Sequence, residues 1–363
     1  MAGIPRIRQA EVMPQNHSEL TLAYVEFYVG DASARAEELR RRYGFEVFAT
    51  TGAPGPDSER HSLALRQGGV TLIVSQGAAA ASYVERHGDG VADIAFHVDD
   101  VSDAFARAVR AGARPVREPS GAPEPQAAFA VFGDVAHTLL PHGVPLPPGF
   151  SPVTRDARTG LADFEALDHF AVCVEAGDLA GTVEFWQRAF GFSSVFREHI
   201  SVGVQAMNSE VVGNAAGDVV LTIIEPDREA GPGQIDEFLR EHRGPGIQHL
   251  ALRTRDIVGT LDRLAAQGVE TLNVPDTYYD ALPERVTVTE YSLPQLRKAR
   301  ILVDEDHNGR LFQVFTRSVH PRRTFFFEVL ERCGAETFGS NNIKALYTAV
   351  ESERVLSAAV SPR

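Results

Sequence analysis

A chain of 363 residues, 44% of them hydrophobic, is long enough for one large domain or two of ordinary size and can bury real cores, which excludes a disordered tether. Lys plus Arg number 35 against 49 Asp plus Glu, a formal charge of −14, and no basic run offers a nucleic acid a patch. Cys173 and Cys333 lie too far apart for a disulfide framework, and there is neither an apolar leader nor a run of about 18 apolar residues, so the expectation is a cytoplasmic protein without a membrane span.

From Tyr24 the stretch YVEFYVGDASARAEELRRRYGFEVF reads as strand, helix, Gly-Phe, strand. HSLALRQGGVTLIV, from His61, alternates as a hairpin does. GVADIAFHVDDVSDAFARAVRAGARPV, from Gly90, gives a strand, a helix capped by Asp100 and stopped at Gly112, and a strand. PLPPGFSPVTRDARTG, from Pro145, is rich in Pro and Gly and reads as a linker.

The pattern then begins again. DHFAVCVEAGDLAGTVEFWQRAFGFSSVF, from Asp168, echoes the first stretch, GDVVLTIIEP from Gly217 supplies another alternating strand, and GIQHLALRTRDIVGTLDRLAAQGVETL from Gly246 answers the stretch from Gly90. Asp256 stands at the cap and Gly268 at the stop. Val101, Phe105, Ala108 and Val109 face Ile257, Leu261, Leu264 and Ala265 in the comparison, each set the stripe of an amphipathic helix. SNNIKALYTAV then reads as a terminal helix, capped by Ser340 or Asn341, with Ile343, Leu346, Tyr347 and Val350 on one face. The predicted class is α+β: a domain over 20–145, a linker over 146–162 and a domain over 163–350, each of paired βαβββ modules in curved half-barrel sheets with helices outside.

The halves differ where chemistry is concerned. Three polar residues interrupt apolar strands of the second half: His169 in LDHFAV, His249 in GIQHLAL and Glu328 in FFFEVLER. The first half has Asp93 in place of His249 and, approximately, Val25 in place of His169, so the module does not need an imidazole to fold. Glu328 is in phase with Phe326 and Leu330, and burying its carboxylate alone would be costly unless a cation lay nearby. The three are 80 and 79 residues apart, so only the fold could unite them. A lone strand histidine is more often a satisfied core residue than a ligand, and ten others offer competing trios. Two histidines and a carboxylate on one face suit a ferrous ion with three positions left open for substrate and dioxygen.

DHFAV, PGQIDEF, GIQHLAL, LFQVFT, FFFEVLER and FGSNNIKALY follow one another from Asp168 to Tyr347, with TYYDAL at 277–282 between them. In these stretches the second half resembles the 4-hydroxyphenylpyruvate dioxygenase family, of the vicinal-oxygen-chelate fold. The resemblance implies Fe(II) held by His169, His249 and Glu328, a 2-oxo acid, 4-hydroxyphenylpyruvate, with O2 as partners, and a homodimer. It also implies that Ser209, Gln234, Gln313 and Asn342 bind substrate, that Phe338 packs on its ring, that Gln248 stands behind His249, and that the terminal helix is a lid.

The family divides on where the second oxygen atom lands: on the ring, giving homogentisate, or on the benzylic carbon, giving 4-hydroxymandelate. Ile343 stands where homogentisate-forming members usually carry phenylalanine, and Thr222 and Ile224 where they carry proline and asparagine. These residues resemble the benzylic branch, whose product usually becomes hydroxyphenylglycine for a peptide antibiotic. The homogentisate-forming dioxygenase is the alternative, and a metal-free chelate-fold binding protein the third reading. DEDHNG, from Asp304, opens like a calcium loop but has Phe315 at its twelfth position, and is expected to be a strand-to-strand turn.

Overall fold

Four strand–helix–strand units build the computed structural model, which describes residues 20–52, 60–121, 125–153, 164–339, 342, 344 and 345. In the first unit β1 (Thr21–Tyr28) leads into α1 (Ala32–Tyr43), β2 (Glu46–Thr51), β3 (His61–Gln67) and β4 (Val70–Gln76). After α2 (Ala78–His87) the second runs β5 (Gly90–Val98), α3 (Val101–Ala111), β6 (Arg114–Arg117), β7 (Ala127–Ala130) and β8 (Ala136–Pro141). A short β9 (Ser151–Pro152) precedes the third: β10 (Phe164–Cys173), α4 (Leu179–Phe190), β11 (Ser193–Val202), β12 (Gln205–Gly213) and β13 (Val220–Pro226). Beyond α5 (Gln234–His242) the fourth comprises β14 (Gly246–Thr254), α6 (Ile257–Ala266), α7 (Asp276–Ala281), α8 (Leu293–Ala299), β15 (Leu302–Glu305), β16 (Arg310–Phe315) and β17 (Phe326–Cys333).

Local chemistry sets the helix ends. The Asp100 and Asp256 carboxylates accept the Asp103 and Gly259 amides at 2.9 and 2.8 Å, filling donors that a helix start leaves open. Gly112 and Gly268 lie at φ 111° and 77°, the left-handed region where glycine stops a helix. The buried stripes differ from the sequence expectation. Val101, Ala104, Phe105 and Ala108 bury in α3, and Ile257, Thr260, Leu261 and Leu264 in α6, whereas Val109 and Ala265 are exposed. A helix face that follows i, i+3, i+4, i+7 leaves the eighth residue on its flank.

The sheets repeat one plan. Order β2-β3-β4-β1-β5-β8-β7-β6 in the first is matched by β11-β12-β13-β10-β14-β17-β16-β15 in the second, each a curled half-barrel, as the α+β chelate-fold reading expected. In both, the central pair is antiparallel and is flanked by parallel partners. Convex faces and helices of both halves merge into one apolar core that includes Trp186, Phe96, Phe27 and Phe327. Rings meet across the seam: Phe27 on Phe325 at 5.0 Å, Tyr43 on Phe327 at 4.9 Å. Part of the stretch read as linker joins the first sheet, where Pro152 pairs with Ala49 and Leu146 and Phe150 pack on a concave-face cluster.

The DEDHNG stretch is a turn between β15 and β16, in which Asp306 accepts the Asn308 and Gly309 amides at 2.9 and 3.0 Å. Of the expected lid helix, Asn342, Lys344 and Ala345 are helical. Ser340, Asn341, Ile343, Leu346, Tyr347 and Val350 lie outside the described residues.

Candidate metal centre

Three central strands of the second sheet bring the polar residues together. On β10 and β14, His169 pairs with Ala251 and Ala171 with His249, and on β17 Glu328 pairs with Ala251. Alternate residues share a face, so both imidazoles and the carboxylate project to the same concave side, with Ala171 and Ala251 leaving the space between them. Glu328 Oε2 lies 3.4 Å from His169 Nε2 and 3.3 Å from His249 Nε2, and one ligand atom from each residue lies within 4.8 Å of the others. Donors on a single ion with bonds of about 2.1 Å are separated by distances of this order, so the set fits a metal.

A bulge stands beside each histidine. Between Leu167 and His169 the ladder carries the extra residue Asp168, and between Ile247 and His249 it carries Gln248. A bulge re-aims the residue it inserts. Asp168 Oδ1 thereby accepts from His169 Nδ1 at 3.0 Å, and Gln248 Oε1 from His249 Nδ1 at 3.2 Å. With the proton held at Nδ1, the Nε2 lone pair faces the ligand position, the arrangement that orients metal-binding histidines. Strand phase alone would send Gln248 outward; the bulge brings its oxygen onto the ring.

Behind Asp168 stands Arg332, donating to both carboxylate oxygens at 2.8 Å and, through its other nitrogen, to the Ala335 and Thr337 carbonyls. Its guanidinium lies 4.9 Å from the Phe338 ring, which meets His169 edge to face at 5.2 Å. Burial opposes ionisation of Asp168, yet Arg332 and His169 outweigh it and hold the carboxyl well below the usual range. For His169 burial likewise opposes charge, but Glu328 and Asp168 raise it to about 9. Burial would raise Glu328; His169 and His249 lower it to about 2. Burial depresses His249. The two imidazoles thus offset the cost of burying the Glu328 carboxylate, a role a divalent cation would take over.

The concave wall continues from the ligands. Thr222 pairs with Ala171 on one side and Val211 on the other, and Ile224 pairs with Ser209; all are buried. The Thr222 hydroxyl has no partner among the described residues. Gln313 donates to Glu328 Oε1 at 2.7 Å, and Asn342 donates to Gln313 Oε1 at 2.7 Å, so these expected substrate contacts stand against a ligand residue. Gln234 opens α5 and, with Gln248 and Phe326, lines a groove of about 760 Å³. Ile343 lies outside the described residues.

Matching bulges also align the first half. Its ladder inserts Ala23 beside Tyr24 and Ala92 beside Asp93, so Tyr24, not Val25, stands in the place of His169. Asp93 answers His249, and Thr138, paired with Ala95, answers Glu328. Flat alignment missed this by one residue because the inserted position is visible only in the pairing. Asp168 and Arg332 were missed too, although an arginine four residues after Glu328, in its strand phase, was a readable signal.

Residues 166–291 match the model of the glyoxalase/bleomycin resistance protein/dioxygenase superfamily, and residues 19–136 that of the hydroxyphenylpyruvate dioxygenase N-terminal region. A 4-hydroxyphenylpyruvate dioxygenase of Neurospora crassa is 33% identical over 75% of this chain and 71% of its own length. That of Xenopus tropicalis is 30% identical over 92% and 91%. The chain belongs to the 4-hydroxyphenylpyruvate dioxygenase family. Among solved structures, a triple mutant of 4-hydroxymandelate synthase from Streptomyces coelicolor superposes with a TM-score of 0.84, at 42% identity over 93% of this chain and 99% of that one. As a family dioxygenase the chain has its three candidate ligands in the second half only, and no helix among the described residues is long and apolar enough to cross a membrane.

Proposed function

We propose that this family member is an Fe(II)-dependent enzyme that decarboxylates 4-hydroxyphenylpyruvate with O2 and hydroxylates its benzylic carbon, giving 4-hydroxymandelate and CO2. One oxygen atom enters the new carboxylate and the other the benzylic hydroxyl. The metal, held by His169, His249 and Glu328, would supply a site where the 2-oxo acid and dioxygen bind together. Around it the protein's part is orientation and exclusion of water: Asp168 and Gln248 fix the imidazoles, Phe338 screens His169, and Ala171 and Ala251 leave room.

The observation that carries the choice of carbon is the wall beside the ligands. Thr222, with its unpaired hydroxyl, and Ile224 flank the substrate position, with Ser209 beside them and Ile343 completing the pattern in sequence. A ring hydrogen-bonded by this wall would turn its CH2 toward the reacting oxygen, and near-attack geometry selects between competing paths. The 42% identity to a 4-hydroxymandelate synthase supports the same branch.

Ring hydroxylation to homogentisate is the second reading, favoured by the dioxygenase name of relatives at 33% and 30% identity. Anaerobic iron loading, oxygenation with 4-hydroxyphenylpyruvate and identification of the product by mass and NMR separates the two. Hydroxymandelate is expected; homogentisate as the sole product would overturn the benzylic assignment, and no oxygen uptake would overturn both. The division at 20–145 and 163–350 and a homodimer in solution belong to the same proposal, the latter checked by light scattering.

A further inference from the structure

Hydrogen-bond direction around Glu328 is forced from one end. An ionised carboxylate only accepts, so Gln313, 2.7 Å from Oε1, must present its NH2 and turn its oxygen away. Asn342 must then present its own NH2 to that oxygen, at 2.7 Å, leaving Oδ1 in need of a donor. Among the described residues the group 3.3 Å from Oδ1 is the hydroxyl of Tyr278, on α7. That hydroxyl accepts the Val303 amide at 2.8 Å and has one proton to give, either to Asn342 or to the Val303 carbonyl at 3.1 Å. Asn342 and Gln313 are buried, so no solvent donor is at hand to replace it.

We infer that Tyr278 is a positioning residue for the metal centre: it closes a one-way relay through Asn342 and Gln313 that occupies Glu328 Oε1 and leaves Oε2 alone to face the two histidines. The relay ties the carboxylate to α7, β15 and the C-terminal helical residues. When the Tyr278 proton turns to Val303, the Asn342 oxygen is orphaned and each amide downstream loses its preferred orientation. With Gln313 free to swing, Glu328 can present both oxygens and fill a position that the 2-oxo acid or O2 needs. The inference rests on the metal-centre reading above.

The test uses the full chain loaded with Co(II), a spectroscopic stand-in whose visible bands report coordination number, and needs no turnover. Tyr278→Phe keeps the ring and its packing and removes the hydroxyl, and with it the proton offered to Asn342 and the acceptor of the Val303 amide. The expected result is a Co(II) dissociation constant raised about 3- to 10-fold, below the roughly 10- to 100-fold typical of groups that touch a ligand directly, with weaker visible bands as Glu328 becomes bidentate. Gln313→Leu should show the same spectral change more strongly. If Tyr278→Phe matches the wild type in affinity and spectrum while Gln313→Leu does not, the relay ends before Tyr278 and the inference is overturned. Tyr278→Leu guards against a packing effect: a shift seen with Leu but not Phe also overturns it. Absence of any Co(II) band in the wild-type chain overturns instead the metal-centre reading, and the inference with it.

Discussion

At Asp168 one carboxylate serves two partners, Arg332 and His169. Arg332 takes both oxygens, while one of them also accepts from His169, whose ring meets Phe338. The guanidinium keeps the carboxyl ionised, so a full negative charge stands behind His169 and fixes its tautomer. Asp168→Asn retains an acceptor but removes the charge and leaves the half-buried Arg332 without its counterion. Metal titration should show affinity weakened roughly 10- to 100-fold, with the far-ultraviolet circular dichroism spectrum preserved. An unchanged dissociation constant would mean that the bond orients nothing.

Among the elements, the paired strands β10 and β14 carry the site because each inserts one residue next to its histidine. Caps, glycine stops and alternating strands were legible in the sequence, since each depends on neighbours a few residues away. The bulges were not: an inserted residue exists only relative to a partner strand about 80 positions distant. For that reason Val25 was matched to His169 where the ladder places Tyr24, and Asp168 went unread although it precedes the histidine. His169, His249 and Glu328 were legible as polar interruptions of apolar strands, and the family resemblance selected them from their competitors. Helices α7 and α8, inserted between α6 and β15, showed no repeat counterpart from which to read them.

The alanines between the ligands permit an element-scale test. Ala171 lies between Thr222 and His249 across the sheet, where a larger side chain would intrude on the proposed substrate position. Ala171→Leu should cost about 1–3 kcal/mol of stability, leave metal content near that of the wild type, and weaken binding of 4-hydroxyphenylpyruvate by more than about tenfold, equivalent to about 1.4 kcal/mol. Anaerobic titration of the visible band formed by the 2-oxo acid on the iron-loaded protein checks this; unchanged binding would place the substrate elsewhere.

Over the whole molecule, the first half keeps the plan of the site with different chemistry. Asp93, in the place of His249, faces Glu26 across the ladder and accepts from the Thr138 amide and hydroxyl. Burial, then the neighbouring Glu26 charge, push its carboxyl up to about 7, against the opposing Thr138 bonds. The folded protein therefore binds this proton more tightly than the unfolded chain. The associated stability is complete below about pH 4 and is lost as pH rises through about 7. Asp93→Asn mimics the protonated form. It should leave the melting temperature near the wild-type value at about pH 4 and raise stability by about 1–3 kcal/mol at about pH 8, measured by calorimetry. Equal effects at both pH values would show that Asp93 does not titrate across this range.

Trp186 is fully buried, 6.1 Å from Phe96 and 5.3 Å from His137, so a helix of the ligand-bearing half is planted in the sheet of the other. The half without the three candidate ligands is consequently free to drift on one side and not on the other. Its hollow answers only to its own folding, whereas Phe27, Phe96 and Phe129 on its back wall press on Phe325, Trp186 and Phe185 of the other half and cannot change size without being felt there.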